Sequence, residues 1–487
     1  MIFKTGKLFP LGILLPVLCC VLSATAQQDY ASILKQGILM QADLANIDAH
    51  AKTKAEAAIE LLRTGKGELV WPYLRSSADP SMRSYFVRDV GRSGLQPTII
   101  VDRLEKEKDV SIRRALILSL GGFSDKQVSA QLRQRILTKL LPAYQNDPDP
   151  GVHSAIDWLL RNSTRGWGKL ALDWKQAAAL KHIDSQLAGK PSGNRKWFLT
   201  SKQQPMAIIE GPVEFLMGSP GNEPGRDKSP IELQHRQLIP RSFAIATKEV
   251  SVGQFQEFLD ANPAIKTLAQ SGGAKDPSRN GAIMKTRIID DDCPQILMTW
   301  YEAAQYCNWL SEQEGIPKEE WCYPTLPEIK EGMHLPDNYL ERSGYRLPTE
   351  AEYEYASRSG SCTSRFFGGS EELLREYSWY TGNTFNEKPW PGGQLKPNDF
   401  GLFDVYGNVW EWGQSWVQYY LSASKDSVWT DSKDSSLIVS KDYKRPRKGG
   451  SYTYGADYLR SAARNEGYIP DERRDSVGFR IARTMKK

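Results

Sequence analysis

From residue 27 to about 190, apolar side chains return at helical intervals, as at Ala55, Ile59 and Leu62, within a background rich in Ala, Leu, Lys, Arg and Glu. A weak repeat runs through this half. "DPSMRSYFV", "DVSIRRALI" and "DPDPGVHSAI" each place an aspartate three residues before an apolar one: Asp79 before Met82, Asp109 before Ile112, Asp149 before Val152. An aspartate at the mouth of a helix accepts the backbone N–H groups that have no partner in the first turn, so each motif predicts a capped helix start. Units of this size resemble HEAT-type solenoid repeats, whose role is to present a surface to a protein partner; an ordinary helical bundle is the competing reading.

"AGKPSGNRKW" breaks the pattern, and residues 191–203 read as a linker. Beyond it helical spacing is rare. Two helices are predicted, one from Ser251, with an apolar face of Val250, Phe255, Phe258 and Leu259, and one from Thr299 through "WYEAAQYCNWLSEQ". In "RLPTEAEYEYA", Thr349 followed by Glu352 forms a capping box, which predicts a third helix and no chemistry. The remainder reads as short strands and long loops, an α+β domain over residues 204–485.

Composition narrows the function classes. The chain has 487 residues, 40% hydrophobic positions and 14 tryptophans, which excludes a disordered chain. A net charge of +5 with interspersed signs gives no footprint for nucleic acid. Lys4 and Lys7 precede an apolar run from Leu8 to Leu22 and a small-residue exit at Ala24 and Ala26. Residues 1–26 therefore read as a signal peptide and the mature protein as secreted or periplasmic; an uncleaved anchor is the alternative. No second long apolar run predicts a stable membrane span. Outside the signal, Cys293, Cys307, Cys322 and Cys362 lack zinc spacing and are expected to form disulfides or simply to be buried.

Five segments of the C-terminal half have to be taken together: "PMAIIEGPVEFLMGSPGNEPGRDKSP", "FAIATKEVSVGQFQEFL", "GYRLPTEAEYEYASRSG", "PNDFGLFDVYGNVWEW" and "KGGSYTYGADYLRSAARNEGYIPDERRDSVGFRIAR". In this order they resemble the sulfatase-modifying-factor family, the formylglycine-generating enzymes and their relatives. The resemblance implies a domain related to the C-type-lectin fold. It also implies structural calcium at "DVYGNVWEW", held by the Asp404 and Glu411 side chains and the Gly407 and Val409 carbonyls. On residue types alone, that motif reads rather as a tight turn leading into a buried Trp-rich strand, and it is the resemblance that reverses this reading.

The aerobic enzymes of the family oxidise a substrate cysteine with copper held by two thiolates just after "GGS". Here that region reads "SYTYGADYLRSAAR", with Tyr454 near the first thiolate position, and residues 363–487 contain no cysteine. Soft thiolates select Cu(I), and no hard ligand replaces them. The clustered histidines of the family's nonheme-iron branch are absent too, since no two of the five histidines lie within five residues. By match to the family's substrate groove, Trp410, Ser451, Tyr452 and Arg464 would line a binding pocket. The competing reading has Arg464 paired with Glu466 or Asp475 and the tyrosines in the core. The expected function is binding of a protein or peptide ligand; the alternative is a formylglycine-generating-type or other protein-modifying oxidoreductase with a non-standard active site.

Overall fold

The computed structural model describes residues 44–162, 171–227, 230–266, 277–385, 387–417, 427–433 and 436–486. The signal-peptide reading of residues 1–26 lies outside these. No helix among the described residues is long and apolar enough to cross a membrane.

Among the described residues seven α-helices build the N-terminal half: α1 (Leu44–Arg63), α2 (Ser81–Asp89), α3 (Pro97–Lys106), α4 (Val110–Leu120), α5 (Ala130–Asn146), α6 (Pro150–Arg161) and α7 (Ala177–Leu187). The three predicted aspartates do what their positions require. Asp109 accepts from the N–H groups of Ser111 and Ile112, Asp149 from Val152, and Asp79 from Ser81, one residue ahead of its helix's cap. These helices, α2, α4 and α6, pack in succession, while α3 and α5 form the second layer. An arginine ladder ties neighbouring units: Arg75 pairs with Asp109 at 3.0 Å and Arg114 with Asp149 at 2.6 Å. The caps are thus also the anion side of the inter-unit ion pairs.

Among the described residues the C-terminal half has short strands in four sheets. Residues Trp197–Leu199 (β1), Pro205–Ile209 (β2), Val213–Met217 (β3), His235–Ile239 (β4) and Phe243–Ala246 (β5) come first. They are followed by Met333–His334 (β6), Tyr345–Arg346 (β7), Trp410–Trp412 (β8), Val428–Thr430 (β9), Ile438–Val439 (β10), Arg445–Lys448 (β11), Arg464–Tyr468 (β12), Val477–Gly478 (β13) and Ala482–Thr484 (β14). The largest sheet has the order β1-β2-β5-β14-β7 and the next β12-β11-β8-β13. The predicted helices are present as α8 (Val252–Ala261), α10 (Trp300–Gln313) and α11 (Glu350–Arg358), with Pro277–Arg287 (α9) and a single turn at Thr381–Thr384 (α12) besides. Ser251, Thr299 and Thr349 each close the expected capping box.

The halves are not joined by a free tether. Trp197–Leu199, inside the 191–203 segment read as a linker, is an edge strand of the largest sheet, and the Trp197 indole donates to the Asp147 carbonyl at 2.8 Å. One hydrophobic core runs across the junction, with Phe86, Leu116 and Val152 in the same cluster as Phe367, Leu402 and Phe403. Full burial of each such side chain contributes about 1.5–3 kcal/mol, so a shared core makes the two halves interdependent. Asp399 receives Arg83 at 2.9 Å, and the Trp158 indole of α6 donates to the Gln394 carbonyl. The backbones also touch: a Cβ on Gly401, where φ is +82°, would lie 2.5 Å from the Pro150 carbonyl oxygen.

Of the six cysteines, the four among the described residues are free thiols, Cys293, Cys307 and Cys322 buried and Cys362 exposed. The expected disulfides are absent, and burial accounts for three of the four.

Candidate functional site

The 404–412 segment reaches the middle of the second sheet through a turn with three left-handed residues, Asp404 (φ 54°), Gly407 (φ 86°) and Asn408 (φ 53°). Gly407 has to be glycine, since a Cβ there would lie 2.1 Å from the Trp379 carbonyl oxygen. The strand that follows, β8, is covered on both faces: Trp410, Glu411 and Trp412 are all buried.

Glu411 does not reach out as a free ligand. Arg480 holds both of its oxygens, at 2.6 and 2.7 Å, and Arg480 also donates to the carbonyls of Ala246 and Phe403. Two further acids stand beside this pair. Asp404 accepts the Gly393 N–H at 2.8 Å with Oδ2, while its Oδ1 is buried without a partner. Glu249 accepts from the Asn408 amide at 3.2 Å with Oε1, and its Oε2 is likewise buried and unpartnered. Burial pushes the Asp404 carboxyl up to about 6. Burial, together with Asp404 and Glu411, pushes Glu249 well above the usual carboxylate range.

Three carboxylates thus face one guanidinium, and the remaining negative charge calls for protons or a divalent cation. Hard oxygen donors of this kind suit calcium. Of the expected donors, Asp404 offers one buried oxygen without a partner. Both oxygens of Glu411 are committed to Arg480, whereas one oxygen of Glu249 has no partner. Among the described residues no group of three or more His, Cys, Asp or Glu side chains could by itself hold a metal ion. Glu249 was invisible to motif reading because only the fold brings it to a loop 155 positions further along the chain.

The four expected groove residues are brought together, but not on a surface. Trp410, Ser451 and Tyr452 are 0% exposed and Arg464 5%. Ser451 Oγ shares a hydrogen bond with Thr453, and the Tyr452 hydroxyl donates to the Asp475 carbonyl at 3.3 Å. Arg464 meets a carboxylate and a backbone carbonyl, as its fork predicts. Both belong to its own chain: Glu350 at 2.7 Å and Ile231 at 3.2 Å. Of the competing partners, the Glu466 side chain lies outside the described residues and Asp475 lies 3.7 Å from Arg287. What faces outward from this segment is Tyr458, 45% exposed, beside a half-buried Tyr454. Tyr454 and Tyr458 pack edge-on against one another (4.9 Å) and against Trp410 (5.3 and 6.3 Å), while Arg447 lies 3.3 Å over the Tyr468 ring.

Residues 199–485 match the sulfatase-modifying factor enzyme 1-like domain, which is more than half of the chain. The chain belongs to this family. It is similar to the formylglycine-generating enzyme of Bos taurus, 27% identical over 288 residues, covering 56% of this chain and 73% of that one. It is also similar to the formylglycine-generating enzyme of Streptomyces coelicolor, 29% identical over 290 residues, covering 55% and 86%. Among solved structures it is similar to PvdO from Pseudomonas aeruginosa, with 24% identity, a TM-score of 0.44, and coverage of 59% of this chain and 98% of that one.

Proposed function

We propose that the chain is a family member that binds a protein or peptide ligand outside the cytoplasm, without thiolate-copper oxidation. The observation that carries this reading is the aromatic packing after "GGS". Where two thiolates would have to converge on a metal, Tyr454 and Tyr458 close over Trp410 with ring centroids 4.9 to 6.3 Å apart. The four residues matched to the family's substrate groove contribute to this reading as the rigid floor beneath that patch, since all four are buried and Arg464 and Tyr452 bond within the domain. Aromatic rings with a polar tip give contact area at low entropic cost, and the rigid floor keeps them in place. The helical half adds a further surface for a partner.

Calcium at the 404–411 turn belongs to the same proposal. Its work would be structural: cancelling the charge of Asp404 and Glu249 and fixing a loop whose backbone is held in left-handed conformations.

The similarity to formylglycine-generating enzymes favours one competing reading, a protein-modifying oxidoreductase. A single experiment separates the two. Purified protein supplied with copper and a cysteine-bearing sulfatase peptide should consume no oxygen and leave the peptide mass unchanged. Conversion of the peptide cysteine would establish the oxidoreductase instead.

A further inference from the structure

A cleft of about 600 Å3 opens where the helical half meets the C-terminal domain. Ile47 and Asp48 of α1 and Asp79 before α2 form one wall; Glu223, Glu371 and Asp457 come from three loops of the other half. The volume is that of a small-ligand or short-peptide site. Its charge is one-sided: five carboxylates and one guanidinium line it. That guanidinium, Arg365, is 4% exposed and spent on the carbonyls of Leu459, Gly369 and Ala456 at 2.7 to 2.9 Å.

The acids are partly spoken for. Asp48 accepts the Tyr85 hydroxyl at 2.7 Å, and Asp79 caps Ser81 and lies within the field of Lys54. Glu223 differs from them. Its side chain is only 5% exposed, yet it gives a single oxygen to Arg460, at 2.7 Å, and the other has no hydrogen-bond partner among the described residues. Burial holds its carboxyl above the ordinary range, a cost that an incoming cation would relieve. Pro220 and Pro224 beside it give the cleft an apolar flank. A lysine or arginine side chain matches this combination, with a hydrocarbon stem and a charged head.

We propose that this cleft receives the lysine or arginine side chains of a peptide segment, with Glu223 and Asp457 meeting the charge and the helical half completing the walls. The assignment rests on the reading of the chain as a binding protein and names where, and for what chemistry, it binds.

Cys362 lines the same cleft and is the one exposed thiol among the described residues, so it reports occupancy. Full-length protein would be alkylated with N-ethylmaleimide, followed by mass spectrometry, with and without the peptide acetyl-Ala-Lys-Ala-Arg-Ala-amide. The peptide should slow Cys362 modification by about tenfold at saturation, and a Gln-for-Lys/Arg peptide should not. The double variant Asp457→Asn, Glu371→Gln, both at exposed positions, should weaken protection about tenfold while unfolding like the parent. Equal rates with and without peptide, equal protection by the glutamine peptide, or unchanged protection in the double variant would overturn the assignment. Oxidation of a cysteine peptide would overturn the binding function alone and leave the protection result standing.

Discussion

Arg480 and Glu411 form a two-pronged ion pair, 2.6 and 2.7 Å, in which neither side chain is exposed at all. Two charges so placed stabilise little as a pair, but either one left alone is expensive. Arg480→Met should lower unfolding free energy by about 3–5 kcal/mol, whereas Arg480→Met with Glu411→Leu should recover most of that loss. Urea unfolding of the three proteins checks this. A single variant within about 1 kcal/mol of the parent would mean that solvent or another cation already shares the site.

The calcium reading makes a separate demand. Chelator-treated protein should gain thermal stability when calcium is restored, by about 2.7 kcal/mol at a hundredfold excess over the dissociation constant. Asp404→Ala should abolish that gain. Glu249→Gln should weaken calcium binding about tenfold if its free oxygen is a ligand. Calcium titration by calorimetry decides it; no bound calcium in the parent protein would remove the site.

What the sequence made legible is what is local. Ser251, Thr299 and Thr349 announce their helices because a capping box is closed within four residues, and Asp109 and Asp149 do so for the same reason. The 404–412 turn and the family itself were also readable. The electrostatics of the site were not, because its decisive partners are far apart in the chain. Arg464 meets Glu350 across 114 positions, Arg480 meets Glu411 across 69, and the Asn408 amide meets Glu249 across 159. Composition marked 191–203 as a break, yet Trp197 buries its ring against His153 and so becomes a strand of the sheet rather than a tether.

The shared core predicts that the two halves unfold together. Asp399 is the ionic centre of the junction, receiving Arg83 at 2.9 Å and lying 3.6 Å from Arg114. Asp399→Asn leaves two largely buried guanidinium groups short of charge and should cost about 3 kcal/mol. Gly401→Ala should act at the same place by steric conflict with the Pro150 carbonyl. Calorimetry should show one transition for the parent and an earlier, broadened or split one for either variant. Independent unfolding of two units in the parent would contradict the common core.

Acid should weaken that junction through His153. Its ring is fully buried, stacked between Tyr144 at 4.3 Å and Trp197 at 3.6 Å, and donates Nδ1–H to the Tyr144 carbonyl. Burial pulls its pKa from 6.5 down to about 4, with Arg161 and Lys248 acting in the same direction and Asp157 against it. The unfolded chain therefore takes up this proton at a higher pH than the folded one. Stability is lost as pH falls from about 6.5 toward 4, with no further loss from this group below that. The full swing is on the order of 3 kcal/mol. His153→Phe keeps an aromatic ring in the stack and cannot be protonated, so its stability should decline less over that interval. Urea midpoints measured at several pH values for parent and variant provide the comparison, and parallel pH profiles would show that His153 carries none of the acid sensitivity.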